Sequence, residues 1–468
     1  MYKRYMGILL LGAMIAMNSC TSSDPAEGEI ATESIKTEPA YELAEGDFNG
    51  KEFVIYTSPD IQHFIYAQEI TGEAVNDTLY DTEVNTEQNY NAVISYMLSD
   101  GDSGLGPGVF ADQVLAGDGS CNLIYGNSVY LAQQQPKGIY KNLLDIEGFQ
   151  FEAPWWSAQA INELTIANQM YLGSSSIHYA QFSRARAVYI NKDLAADHDL
   201  TVPYDDVRNG KWTLDNMKSM SEKVYVDTNG NGTADEEDTF GFVTDPWVAQ
   251  YAFSAGFSMV EKTNDDSLLK VSFDLEKMDA LVDFFYTWLN ETQSTCQTSS
   301  ARDMFVNGQG LFFATSIEQA ALVLRNSEVN YGFLPYPKYD EAQTDYRPFT
   351  QGMIWAMPNL SSDEVFDSAI LEALACYRQE ELIPVYYDAA VCGKLADTSD
   401  DKEMLEIINK GMAECFVMVY RDALPMTLVL ADTASVGNND FMSFYTANIQ
   451  ANETALATFA NFYKENMN

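Results

Sequence analysis

The amino-acid sequence predicts an α/β fold, with mostly parallel sheets flanked by helices, on three observations. Short runs rich in β-branched and aromatic residues alternate with helical segments. Apolar residues make up 46% of the chain and aromatic residues 13%, enough for a large packed core even at a formal charge of −43. No repeat of about twenty to fifty residues is visible, which disfavours solenoids and propellers. At about 150 residues per domain, the length suits three domains at most, or two large lobes. With 69 acidic against 26 basic residues, nucleic acid is excluded as the main partner, because a polyanion would be repelled.

The first twenty residues stand outside the fold. Lys3 and Arg4 precede the apolar stretch from Met6 to Met17, which is too short to span a bilayer and suits a signal-peptide core. Ser19-Cys20 then resembles a bacterial lipoprotein cleavage site, with Cys20 as the lipidated residue; the alternative is an ordinary secretory signal with an incidental Cys. Residues 21–46 are rich in Ser, Thr, Glu and Pro without apolar periodicity, as expected of a flexible tether. The other five cysteines, Cys121, Cys296, Cys376, Cys392 and Cys415, have no zinc-module spacing and read as buried thiols, with a Cys376–Cys392 bridge the minor alternative.

From Lys51 the elements follow in order. Residues 51–57 form a strand ending at Ser58-Pro59-Asp60, and residues 76–90 a helix with Leu79, Glu83 and Glu87 at helical spacing. Residues 91–97 and 121–125 read as further strands, the second opening into the loop Gly126-Asn127-Ser128. A strand over 184–191 leads into a short helix over 192–198, and Thr213 caps a helix running to about Tyr225. Strands are expected at 310–315 and 353–357, and helices at 363–378 and 400–410. In such a chain ligands gather at the carboxyl ends of strands.

Three stretches carry a resemblance: Asn191-Lys192-Asp193-Leu194; Pro203-Tyr204-Asp205-Asp206-Val207 with Gly210-Lys211-Trp212-Thr213-Leu214; and Tyr331-Gly332-Phe333-Leu334-Pro335-Tyr336-Pro337-Lys338-Tyr339. Their order and spacing resemble the extracellular solute-binding proteins of bacterial ABC importers, of the maltose-binding-like group, over most of residues 47–468. The resemblance implies a two-lobed type II periplasmic-binding-protein fold that closes over a small solute, most often a sugar or oligosaccharide, and delivers it to permease subunits in the membrane. It implies lobe 1 from residues 47–183 and 356–395 and lobe 2 from 184–355 and 396–468, at the extracytoplasmic face of the cell membrane.

The sharpest motif is residues 227–238. Asp227, Asn229, Asn231, Asp235 and Asp238 stand at positions 1, 3, 5, 9 and 12 of a loop with Gly232 at position 6 and the Thr233 carbonyl at position 7. This is an EF-hand-like pattern, because a hard cation needs six to eight oxygens and a sharp turn between them. Asp238 replaces the usual Glu and a strand follows where a second helix would stand, so the expectation is a structural Ca²⁺ clamp; the alternative is an acidic hairpin that binds nothing.

A sugar site needs an apolar platform for the ring and convergent polar groups for the hydroxyls. Trp155, Trp156, Trp247 and Trp355 lie near loop boundaries, and Trp247 and Trp355 are the better platforms, since Asp245-Pro246-Trp247 opens a helix and Gln351-Gly352 precedes the strand holding Trp355. Trp288 and Trp212 read as core. Ser58, Asp60, Asn127, Thr315 and Gln351 supply strand-end polar groups. Resemblance to maltose-type proteins adds Tyr125 and again Asn127 and Thr315, and places Arg184 near a polar contact where the lobes cross; the alternative for Arg184 is a salt bridge to one of the many carboxylates. No H-E-x-x-H, G-x-S-x-G or Walker A sequence occurs, and His63, His178 and His198 have no metal-ligand spacing, so the expectation is a non-enzyme. A secreted glycoside hydrolase and a surface glycan-binding adhesin are the alternatives.

Overall fold

The computed structural model describes residues 41–118, 120–246, 248–263, 265, 267–350, 352–388, 398–412 and 415–467. Cys20, most of the tether, Trp247, Gln351, Cys392 and the expected crossing near Leu395 lie outside these residues.

Two sheets carry the fold. In the first, β1 (Lys51–Thr57) runs parallel to β2 (Ala92–Leu98) on one side and β3 (Leu123–Asn127) on the other. The run forms a strand because Phe53 and Ile55 bury one face completely and the β-branched and aromatic side chains fit a pleated surface. The helix Ala74–Tyr90 returns the chain from β1 to β2 and ends at Asn91, whose φ of 45° is left-handed, a conformation Asn tolerates better than most residues. Since β2 and β3 lie on opposite sides of β1, the connections diverge there, and a crevice opens at the carboxyl ends of β1 and β3.

The second sheet has the order β10 (Tyr331–Leu334), β4 (Arg186–Asn191), β9 (Gly310–Ser316), β5 (Phe240–Thr244) and β8 (Thr295–Gln297). Here β4 runs against both of its neighbours, while β9, β5 and β8 are mutually parallel. This sheet is therefore more mixed than the sequence suggested. A separate hairpin joins β6 (Met259–Lys262) to β7 (Leu269–Ser272).

The strand β11 (Met353–Ala356) corrects one expected boundary. It pairs antiparallel with β3, Trp355 opposite Tyr125 and Met353 opposite Asn127, so the chain has re-entered the first lobe before Met353 rather than at residue 356. The bridge between Ala185 and Thr350 marks the crossing. An open edge at β3 would leave unpaired backbone groups, and β11 covers it. That pairing also draws Gly126 and Asn127, expected in a loop, into β3.

The helix Ser399–Gly411 does join the second lobe. Its fully buried Asp401 accepts from Lys192 Nζ at 2.6 Å. The last helix, Phe441–Glu465, belongs to neither lobe alone: Phe441 meets Phe273 beside β7, while Tyr463 packs on Tyr171 and accepts from Gln135 at 2.9 Å in the first lobe.

Candidate functional site

The carboxyl ends of the strands bring polar groups to the crevice, but several are already engaged. Ser58 Oγ accepts from Ser99 Oγ at 3.0 Å. The exposed Asp60 carboxylate accepts from Ser103 N at 3.0 Å and Ser103 Oγ at 2.7 Å, tying the loop after β1 to the loop after β2. Asn127 Oδ1 accepts from Val129 N at 3.1 Å and caps the helix Ser128–Gln134, the usual work of Asn at a helix start. Thr315 is half-buried near the end of β9, opposite Ala187.

Arg184 lies between the lobes. It precedes β4, and its guanidinium stands 5.1 Å from the ring centroid of Phe64, in the loop after β1. Its Nε is 3.9 Å from Glu318 Oε2, at the end of β9, close enough for attraction and too far for a hydrogen bond. Phe64 meets Tyr179 edge to face at 5.4 Å, and Tyr179 stacks on Tyr386 at 5.0 Å. These three rings make an aromatic wall beside the arginine. His63, on the same loop, has its imidazole held below its ordinary value by the protein packed around it and then by Arg184.

Beside these rings lies a buried polar pair of which sequence reasoning named only Tyr125 and missed His178. Tyr125 and His178 are almost wholly enclosed, with ring centroids 5.1 Å apart. The Tyr125 hydroxyl and both His178 ring nitrogens have no hydrogen-bond partner among the described residues. Burial lowers the His178 pKa to about 3, with Arg378 acting in the same direction, so the ring is neutral. Arg378, also fully buried, donates from Nε to Thr82 Oγ1 at 3.3 Å and from Nη1 to the Ile177 carbonyl, while Nη2 stands 3.6 Å from Glu83 Oε2. Burial drives the Tyr125 pKa upward, and the charges of Arg184 and Arg378 both oppose it; the hydroxyl therefore lies within the field of both guanidinium groups. The available signal was His178 itself, one of three His, on the aperiodic polar run before Arg184.

Trp355 is corrected from platform to core. It is fully buried, donates from Nε1 to Ser175 Oγ at 3.1 Å, and packs against Trp156 and Phe149. A Cβ on Gly173 would fall 2.7 Å from its ring, so backbone already occupies the face a ligand would need. Trp155 and Trp156 are core as well, each donating at 2.7 Å to the buried Glu372. Trp212 and Trp288 are buried as expected. A separate groove of about 1220 Å³ is lined by residues such as Gln159, Lys277, Tyr339 and Arg347. None of its lining residues comes from the carboxyl end of β1, β3, β5 or β9, where ligands bind in such sheets.

In the acidic loop, Asp227 accepts from Gly230 N at 2.7 Å and Gly232 N at 2.9 Å, and both glycines have the positive φ the turn requires, 69° and 74°. Asn231 Nδ2 donates to Asp235 at 2.7 Å and Asn229 Nδ2 at 3.1 Å. The hydrogen bond from Asn231, then one from the Glu237 backbone, hold the Asp235 carboxyl below its ordinary value. Asp238 points inward, accepting from Thr228 N at 2.9 Å and Asp235 N at 3.2 Å, and closes the loop. The side chains of Asp227, Asn229, Asn231 and Asp235 thus lie along one turn and bond to one another and to its backbone, and among the described residues no three or more His, Cys, Asp or Glu stand together as a metal-holding group.

No family model and no curated protein matches the chain. Solved structures do resemble it. The galacto-N-biose/lacto-N-biose I-binding protein of an ABC transporter from Bifidobacterium longum, in complex with lacto-N-biose, matches at a TM-score of 0.61 and 12% identity, covering 89% of this chain and 98% of that one. An ABC substrate-binding protein from Listeria monocytogenes in complex with cycloalternan matches at 0.58 and 14%, covering 86% and 99%. A maltose-bound protein from T. maritima matches at 0.53 and 14%, covering 88% and 100%. These likenesses establish the fold as the two-lobed type II periplasmic-binding-protein fold.

Proposed function

We propose that this chain is the substrate-binding protein of an ABC importer, capturing a sugar or oligosaccharide between its lobes and handing it to permease subunits. The observation that carries this reading is the crossing beside the strand ends, where the buried Phe64 and the half-buried Tyr179 of the first lobe meet Arg184 and Glu318. Apolar rings beside charged and hydroxyl groups match the two faces of a sugar, and the three fold neighbours hold oligosaccharides in their complexes. Trp247, which follows β5, and Gln351 remain part of the proposed site with Ser58, Asp60, Tyr125, Asn127 and Thr315. Lipid on Cys20 would hold the chain at the outer face of the cell membrane, and a Ca²⁺ ion on residues 227–238 would brace the second lobe.

The test is a glycan panel scored by thermal shift, with chromatography of the glycans afterwards. A saturable shift without product supports the carrier; product formation supports a hydrolase; no shift from any glycan contradicts the reading. In the same cells, Cys20→Ala should release the protein from the membrane fraction, and unchanged detergent partitioning would rule out the anchor.

A further inference from the structure

We propose that a cavity at the lobe crossing is a second ligand site, separate from the strand-end crevice, and that it takes a neutral polyhydroxy compound the size of one sugar ring.

The cavity has a volume of about 200 Å³, below the roughly 300–1,000 Å³ of sites for drug-sized ligands, so it suits one ring rather than a chain of them. Its walls come from every part of the junction. Ser176 and Gln379 belong to the first lobe, Gln181 and Thr350 to the two chain crossings, and Asn409 to the helix Ser399–Gly411 of the second lobe. Small-molecule sites favour such junctions. None of Ser58, Asp60, Asn127, Arg184 and Thr315, the groups of the strand-end crevice, lines this cavity.

The lining chemistry selects the ligand. In a chain with 69 acidic and 26 basic residues, no charged side chain lines the cavity among the described residues, so an ion would lose hydration there and find no countercharge. Hydroxyls and amides line it instead. Ser176 Oγ donates to Gln379 Oε1 at 2.5 Å, and Ser174 Oγ to Gln181 Oε1 at 3.2 Å. Each glutamine thus uses its side-chain oxygen within the protein and keeps the two N–H donors of its amide. Thr350 Oγ1 donates to the Gln181 carbonyl at 3.2 Å and keeps its oxygen as an acceptor, and the half-buried Asn409 adds an amide that does both. A sugar hydroxyl donates and accepts, and this set meets it in both roles. Trp156 and the half-buried Phe182 supply apolar wall for the C–H face of the ring. Gln379 is itself positioned by a π-helical turn, Arg378–Leu382, a rare geometry found frequently at functional sites.

The experiment is saturation-transfer NMR and titration of the parent protein with glucose, galactose, myo-inositol and mannitol, beside the charged glucuronate and glucosamine. At least one neutral compound should bind with a roughly millimolar dissociation constant, the strength a ligand of that size supplies, and more tightly than either charged one. Gln379→Leu and Asn409→Leu should each weaken it roughly tenfold, while Arg184→Gln, in the crevice, should leave it unchanged. Asn409 is half-buried on a surface helix, so its variant decides the matter if Gln379→Leu fails to fold. Binding lost in Arg184→Gln and kept in the other variants would place the compound in the crevice and overturn this inference. Equal binding of the charged compounds, or binding of no probe at all, overturns it too. Each of these results leaves the oligosaccharide reading to the glycan panel, which tests it separately.

Discussion

Trp355 lies fully buried, where residue-level reasoning placed a ligand platform. A Trp beside a Gln-Gly pair reads as a ligand platform, but its environment is made by residues far away in sequence: Gly173, Ser175 and Trp156 enclose it, and no local pattern announces them. Truncating it should therefore cost stability. Trp355→Ala removes a fully buried indole and should destabilise the protein by about 3–5 kcal/mol, while the folded fraction keeps the parent's affinity for any glycan that binds; chemical denaturation and titration of the same variant check both. A normal unfolding midpoint would place the ring outside the core. Arg184 drew attention for a different reason, and its contact with Glu318 is the ion pair that the sequence left open as the alternative. Basic residues are scarce in this chain, and an Arg at a lobe crossing has few roles; the structure gives it a ring from one lobe and a carboxylate from the other. His178 and Arg378 were not legible, because the residues around them, Tyr125 for the imidazole and Thr82, Glu83 and Ile177 for the guanidinium, come from far away in sequence.

At the scale of elements, strands and helices followed their apolar periods closely. β1 occupies the expected residues, and Asn191 and Thr213 cap helices with their side-chain oxygens. The miss was β11, whose residues were read correctly as a strand but assigned to the wrong lobe, since strand pairing across more than two hundred residues leaves no trace in local pattern. The loop 227–238 carries the calcium expectation, which rests on its sequence pattern. Its backbone is already turned around Asp227 by Gly230 and Gly232, and five acidic residues crowd it. Calcium at a hundred times its dissociation constant should add about 2.7 kcal/mol of stability, and Asp227→Ala should remove most of that gain with little effect on solute affinity. Melting in chelator and then with added calcium measures it; an unchanged midpoint for the parent would leave an ordinary acidic turn.

For the whole molecule, composition supplied the folded character and argued against nucleic acid, the alternation of strands and helices supplied the α/β class, and the ordered motifs around Asn191, Trp212 and Tyr331 supplied the two-lobed fold that solved structures share. The solute was not legible, because specificity resides in a few groups converging from β1, β3, the run before β4 and the end of β9. Under the proposed function those groups act together only when the lobes close on a sugar, with Arg184, set between Phe64 and Glu318, at the crossing that closure would tighten. A ligand that binds the closed form better shifts the population toward it. Small-angle X-ray scattering, with and without a saturating amount of the glycan giving the largest thermal shift, tests this most directly. The radius of gyration should fall on binding in the parent and stay unchanged in Arg184→Ala at the same glycan concentration. A parent curve identical with and without bound glycan would contradict the account.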